Sequence, residues 1–271
     1  MSLPLVSAII PCIDARRVSL VRKAINSLLA SNYDPLEILV INGVGGNILT
    51  NDVLSGEPGK VSHVVKEIPV SGFANAATMR NAGIRAAAGD WVLPVDDDDW
   101  QHPHRVEYQM ARRRHGRPCL LRYMLQVDLS EFSGTATANF DRRVKTRPFI
   151  ALKNEEQGIP STLLFTPKKE SGELWLYDES LDKQEHYDLL ERMRLDGLDS
   201  VVCQNQNSDF VPNQCRPLMQ IAFFHSENVL SFEEFFGVKN RPDSRNFPDG
   251  LTATDAEQLK TVLEGYQFVV T

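Results

Sequence analysis

At 271 residues, 42% hydrophobic and 24% charged, the chain has the make-up of an ordinary globular protein, long enough for one large domain or two small ones. Its formal net charge of -7 speaks against a nucleic-acid partner, which selects a basic face, and leaves anionic small molecules open if local basic groups or a metal receive them. Cys12, Cys119, Cys203 and Cys215 are scattered without a CxxC pair, so free thiols in a reducing, cytoplasmic setting are expected rather than disulfides or a zinc site.

The opening "LVSAII" is too short for a signal sequence and lacks a basic flank, so it reads as a strand ended by Pro11. No run approaches the ~18 apolar residues of a membrane span. Val18, Val21, Ala24, Ile25, Leu28 and Leu29 recur at helical spacing. "LEILVI" is a second buried strand, closed by the turn-rich "NGVGGN", and "VSHVVKEI" alternates like a third. "FANAATMRNAGIRAAAG" is an alanine-rich helix with Gly89 past its end, and "DWVLPV" is a fourth strand. This alternation predicts an α/β fold with a mostly parallel central sheet. Ligands of such sheets bind at the carboxyl ends of the strands, where Pro11, Asn42 and Asp96 all fall.

Beyond residue 100 the pattern predicts a polar, arginine-rich helix at 103–115 and a strand "CLLRYMLQV". It continues with a short strand "STLLFT", a helix at 183–195, strands "SVVC" and "MQIAFF", and a helical tail from about 253. The expected division of the chain is into parts at 1–100, 101–215 and 216–271.

The stretch "GDWVLPVDDDDW" runs a buried strand into four aspartates. Like charges so close repel, by about 1 to 4 kcal/mol per close pair in a partly wet site, so a cation at the strand's end is the expected counter-charge. Mg²⁺ or Mn²⁺ takes one or two carboxylates together with phosphate oxygens, and Asp96 and Asp98 have the spacing to offer two.

The segment "MRNAGIRAAAGDWVLPVDDDDW" resembles the RN-x-G…A-x-G…DxDD core of glycosyltransferase family 2, enzymes of the GT-A fold. "VSAIIPCID" is similar to that family's first strand and nucleotide loop, "IPSTLLFT" to an acceptor-side strand, and "YDESLDKQEHYDLLERMRLDGL" to its later acidic-pair helix. The resemblance covers about residues 5 to 205 and implies sugar transfer, with inversion, from a UDP-, GDP- or dTDP-linked donor bound by the half at 1–100 to a glycan or lipid-linked acceptor on the half at 101–215. It implies Mg²⁺ or Mn²⁺ held by Asp98 and Asp96, with His225 of "AFFHSENVLS" as a further ligand. Asp96 and Asp97 would reach metal or ribose. Pro11, Cys12, Asp14 and Asn42 would border the nucleoside, with Arg80 and Asn81 supporting it.

Two positions depart from the family. Asn42 stands where the family's second strand carries the Asp that pairs with the base; Asn donates as well as accepts, so preference changes. Glu185-His186 replaces the family's "ED", whose Asp is the base. Asp182 and Glu185 also read as a capping box. His186 would lie in a helix's first turn, where the dipole keeps imidazole neutral and able to take a proton. Losing both aspartates is also what a nucleotide-binding relative without turnover would show. A metal-dependent nucleotidyltransferase is a third reading, although "PCIDARR" lacks a glycine-rich phosphate loop. The clusters Arg112–Arg114 and Arg142–Arg143 fit a solvated face better than a charged acceptor, and a peripheral contact at the inner membrane face is the remaining alternative.

Overall fold

A computed structural model of the chain describes residues 2–49, 63–71, 75–114, 116–128, 149–181, 183–203, 219–224 and 261–262. In chain order its strands are β1 (Val6–Cys12), β2 (Leu36–Asn42), β3 (Val64–Pro69), β4 (Trp91–Pro94), β5 (Trp100–Gln101), β6 (Cys119–Leu121), β7 (Tyr123–Asp128), β8 (Phe149–Asn154), β9 (Val201–Cys203) and β10 (Gln220–Phe224). The helices are α1 (Val18–Leu29), α2 (Ala76–Ala86), α3 (Arg105–Arg112) and α4 (Glu185–Leu195). The chain divides into two units, one of residues 1–122 and 155–203 and the other of 123–154 and 204–271.

The first unit is built on a parallel sheet in the order β3-β2-β1-β4. Every residue of β1 and β2 is buried, as expected of central parallel strands covered on both faces. Among the described strands β3 pairs with β2 alone, and it buries only Val65, its other positions being exposed or half-buried. α1 buries Val21, Ala24, Ile25 and Leu28 of the expected stripe and Leu20 beside them, while Val18 and Leu29 are half-buried. Ile9, Leu39, Ile41, Met79, Ile84, Val92 and Phe165 share one core with Tyr177, Leu189 and Met193, each fully buried aliphatic contributing about 1.5–3 kcal/mol.

Two polar residues inside this core are satisfied rather than stranded. Ser7 Oγ donates to Glu37 at 2.7 Å, and Glu37 also accepts from Lys66 Nζ at 2.7 Å and the Ala88 backbone at 3.1 Å. Gly89 N donates to Ser7 Oγ at 2.9 Å. A Cβ on Gly89 would lie 2.6 Å from Ser7 Oγ and 2.8 Å from Ser7 N, and one on Gly83 would lie 2.4 Å from Ile9 Cγ2. Both motif glycines are therefore places where α2 and its exit touch β1. α2 starts at Asn75, whose side chain accepts from Thr78 N at 2.9 Å.

Three expectations are corrected here. "CLLRYMLQV" is two strands: the chain changes partners at Arg122, β6 pairing with β9 and β7 with β8 and β10, which apolar periodicity does not register. "STLLFT" is a 3-10 turn at Pro160–Thr162 followed by single bridges of Leu164 to Cys119 and Phe165 to Val92. Pro160 fixes φ for that turn, and Thr162 Oγ1 donates to Ile159 O at 2.6 Å while accepting from Leu121 N at 2.8 Å. The arginine-rich helix is shorter than predicted, Arg105–Arg112. In the second unit β7 pairs with β8 antiparallel and with β10 parallel. Of the helical tail, only residues 261–262 are described.

Candidate functional site

Strand register gathers the site. Cys12 lies opposite Asn42, Ile9 opposite Pro94, and Asn42 opposite Pro69. Val95 N then donates to Ile9 O at 2.9 Å, Gly43 N to Cys12 O at 2.9 Å and Val70 N to Asn42 O at 2.8 Å. The loops after β1, β2 and β4 thus leave one carboxyl edge of the sheet, with Pro11, Cys12, Asn42 and Asp96 along it.

The aspartates are not a solvated run, because Asp97, Asp98 and Asp99 are buried. Arg17, in the 3-10 turn after β1, donates from Nε to Asp97 Oδ2 at 2.7 Å and from Nη2 to Asp98 Oδ2 at 2.8 Å, and Nη2 also bonds Asp97 Oδ1. Burial and the Asp98 charge push the Asp97 carboxyl above its ordinary range, and Arg17 pulls it back. Asp99 sits in the field of the buried Arg105, whose guanidinium burial brings down to about 10.

Arg80 of α2 forms the second hub. Its Nη2 donates to Asp96 Oδ1 at 2.5 Å and its Nη1 to Glu185 Oε1, the first residue of α4. The Asp96 side chain is 37% exposed, against 7% for Asp98. Four carboxylates, Asp96, Asp97, Asp98 and Glu185, are therefore gathered by two guanidinium groups. No group of three or more His, Cys, Asp or Glu side chains among the described residues makes a cation cage. The residues fit a hard divalent cation that takes one or two carboxylates and completes its shell from a ligand's oxygens. Asp96 is open to it, whereas Asp98 is shared with Arg17.

Glu185 is not in a capping box. The residue before α4 is Gln184, in a left-handed conformation with φ 64°, and its side chain caps nothing. Asp182 lies outside the described residues. His186 stands in the first turn of α4, half-buried, with its ring edge-on to Tyr177 at 5.3 Å and Nδ1 3.0 Å from the phenol oxygen. Burial, with the charge of Arg80, lowers its pKa to about 4, against the opposing pull of Asp96 and Glu185. The imidazole is neutral near pH 7.

Asn42 faces its own loop. At 1% exposure, its Nδ2 donates to Gly46 O and Glu67 Oε1, both at 2.6 Å, and its Oδ1 accepts from Val44 N at 2.8 Å. Glu67 also accepts from Ile48 N at 3.1 Å and Leu49 N at 3.0 Å. Asn81 is equally committed. Its Oδ1 accepts from Tyr177 N at 2.7 Å, and its Nδ2 donates to Tyr177 O at 2.9 Å and Glu179 Oε1 at 2.8 Å. It holds the strap that carries Tyr177. Asp14 caps the turn after β1 by accepting from Arg16 N at 2.9 Å, and the Arg16 side chain holds its pKa at about 2. Burial, with Asp97 nearby, pushes the Cys12 thiol up to about 12. His225 lies outside the described residues, as do Arg142 and Arg143. Arg112 lies over the Tyr108 ring at 3.8 Å.

Residues 7–124 match the profile of Glycosyl transferase family 2. This part of the chain, less than half of it, is similar to that family. An uncharacterized glycosyltransferase of Rickettsia felis is 33% identical over 108 residues, 40% of this chain and 17% of that protein. One of Rickettsia typhi is 32% identical over 107 residues, 40% of this chain and 31% of that protein. The chain thus aligns with less than a third of either relative. Among solved structures, S. aureus TarS 1-349 superposes at a TM-score of 0.53 with 17% identity, over 80% of this chain and 60% of that one. Its complex with UDP-GlcNAc gives 0.52 with 15% identity, over 82% and 59%. The family 2 segment is thus carried on a GT-A type α/β fold.

Arg17, Glu67 and Tyr177 were not singled out from sequence. Only Arg17 carried a signal, as a basic residue in the loop that leaves the same sheet edge as the aspartates.

Proposed function

We propose that the chain transfers a sugar, with inversion, from a nucleoside-diphosphate donor to an acceptor hydroxyl at the carboxyl edge of the parallel sheet. The family match over residues 7–124 supports a transferase, and the structure of TarS with UDP-GlcNAc supports a nucleotide-sugar donor. The observation that carries the reading is the carboxylate cluster at that edge, where Arg17 bonds Asp97 and Asp98, Arg80 joins Asp96 to Glu185, and the Asp96 side chain stays 37% exposed. Mg²⁺ or Mn²⁺ would be held by Asp98 and Asp96, with His225 as a further candidate. When bound, such a cation would offset charge on the departing diphosphate. Pro11, Cys12, Asp14 and Asn42 border the nucleoside in this reading. Arg80 holds Asp96 against Glu185, so the diphosphate edge and the acceptor side stay in fixed relation. The acceptor proton goes to the Glu185–His186 pair at the start of α4. UDP-, GDP- and dTDP-linked donors and a glycan or lipid-linked acceptor are the substrate classes. No described helix is long and apolar enough to cross a membrane, and a cytoplasmic setting, with peripheral contact at the inner membrane face as an alternative, belongs to the proposal.

A second reading, nucleotide-sugar binding without turnover, is favoured by Asn42, whose amide is engaged by Gly46 and Glu67. Thermal shift against UDP-, GDP- and dTDP-sugars with and without Mn²⁺, followed by turnover on glycan and lipid-linked acceptors, tests the proposal. A ligand at a hundred times its Kd adds about 2.7 kcal/mol of apparent stability. The expected result is a shift with one donor class and transfer to an acceptor. A shift without transfer selects the second reading. Pyrophosphate release from a nucleoside triphosphate, or no shift with any donor, overturns sugar transfer.

A further inference from the structure

The strap that precedes α4 brings an aromatic hydroxyl against the imidazole. Asn81 grips Tyr177 by both its backbone N–H, at 2.7 Å, and its carbonyl, at 2.9 Å. The phenol oxygen, on a side chain 3% exposed, lies 3.0 Å from His186 Nδ1, its one hydrogen-bond partner among the described residues. Either group can donate in principle. If Nδ1–H donated to the phenol oxygen, the phenol's own hydrogen would be buried without an acceptor, which costs an unmade hydrogen bond. If the phenol donates to Nδ1, both atoms are satisfied by one bond. The neutral ring then carries its hydrogen on Nε2.

Nε2 has no hydrogen-bond partner among the described residues, on a side chain that is half-buried rather than enclosed. Arg80 takes only Oε1 of Glu185, whose side chain is 12% exposed, so Oε2 has no partner among the described residues either. A neutral imidazole at a helix N-terminus, offering N–H rather than a charge, can polarise an oxygen without titrating. Burial and Arg80 keep the ring neutral, and burial pushes the Tyr177 phenol well above its ordinary range, so it stays protonated.

We propose that Tyr177 is a positioning residue that fixes His186 in the Nε2–H tautomer, making His186 a hydrogen-bond donor to an oxygen of the bound sugar, diphosphate or acceptor and leaving Glu185 Oε2 to take the acceptor's proton. The tautomer stands on the geometry alone; the division of labour rests on the sugar-transfer reading.

Long-range ¹H–¹⁵N correlation spectra of the labelled full chain at pH 7 read the tautomer directly, with the His186 signals assigned by their loss in His186→Gln. The parent is expected to show Nε2 protonated and Nδ1 bare. Tyr177→Phe removes one oxygen and leaves both Asn81 bonds, and the Nδ1–H form should gain about five-fold or more in population, the factor that one ordinary hydrogen bond carries. A parent with its hydrogen on Nδ1, or a ratio unchanged in Tyr177→Phe, overturns the proposal. No donor sugar is needed, so this outcome is separate from any failure of sugar transfer. Where transfer is measured, His186→Gln, which keeps an N–H donor, should retain more turnover than His186→Asp. The reverse order makes His186 the base and overturns the division of labour.

Discussion

Arg17 and Asp97, eighty residues apart in the chain, are joined by two hydrogen bonds at the edge of the parallel sheet. The side chains are 16% and 12% exposed, so the pair is largely out of water and each charge depends on the other. Removing one partner of a buried pair costs about 3–5 kcal/mol, because the remaining charge is left uncompensated. Arg17→Ala should lower the urea midpoint accordingly, and Mn²⁺ should raise the midpoint of the variant more than that of the parent. A loss indifferent to Mn²⁺ would mean that the freed carboxylates do not receive a cation.

Asp98→Ala should abolish the metal-dependent part of nucleotide affinity while Arg17 keeps Asp97 and the fold. Asp96→Ala should weaken it too, and in addition free Arg80 from one of its two carboxylates. Calorimetry with and without Mn²⁺ measures both. Equal affinities in the parent under the two conditions would remove the metal from the proposal.

Asn42→Asp replaces a donor to Glu67 with a second carboxylate. The variant should lose about 1–3 kcal/mol, the cost of an unmade buried bond, and Glu67→Gln in the same chain should restore much of it. If sugar transfer holds, the double variant is also where a shift of preference toward uridine donors should appear. An unaltered ranking of UDP, GDP and dTDP would show that position 42 does not meet the base.

His186 gives a pH dependence of defined sign. Its folded pKa, about 4, lies below the ordinary value near 6.5, so the unfolded chain binds more protons between those limits. Stability therefore rises with pH across that window and is lost as pH falls from about 6.5 through about 4. Between pH 7 and 5 the parent should lose about 2 kcal/mol more than His186→Gln, read from urea midpoints at the two pH values. Parallel losses would return the ring to an ordinary titration.

Gly89→Ala should destabilise more than Gly83→Ala. At Gly89 the added carbon meets backbone, Ser7 N at 2.8 Å and Leu5 O at 2.9 Å, whereas at Gly83 its nearest neighbours are side-chain atoms of Ile9, and alanine inside α2 regains about 1 kcal/mol of helix propensity. Overpacking of this kind costs about 1–3 kcal/mol. Denaturant midpoints in the reverse order would contradict the close approach at β1.

The buried strands were legible because a strand covered on both faces must be apolar throughout, as Ile9, Ile10, Leu39 and Val40 are. The helices α1 and α2 were legible because one face of each packs on that sheet. The change of partner at Arg122 and the turn at Pro160–Thr162 were not. Hydrophobic pattern reports that a residue is buried, not which strand lies beside it, and "CLLRYMLQV" is apolar enough to serve two sheets.

At the site, the residue order by itself put an acidic run at the end of a buried strand and Glu185-His186 in the first turn of a helix. Which charges answer those acids was decided only in three dimensions. Arg17 reaches Asp97 and Asp98 because β1 and β4 lie side by side, and Arg80 spans Asp96 and Glu185 because α2 and α4 share a core. Tyr177 meets His186 because Asn81, ninety-six residues from Tyr177, holds the intervening strap. Local sequence fixes what a side chain can donate or accept. Partners so far apart along the chain are chosen by packing, since a buried charge or hydroxyl settles on whichever counterpart the fold brings within about 3 Å.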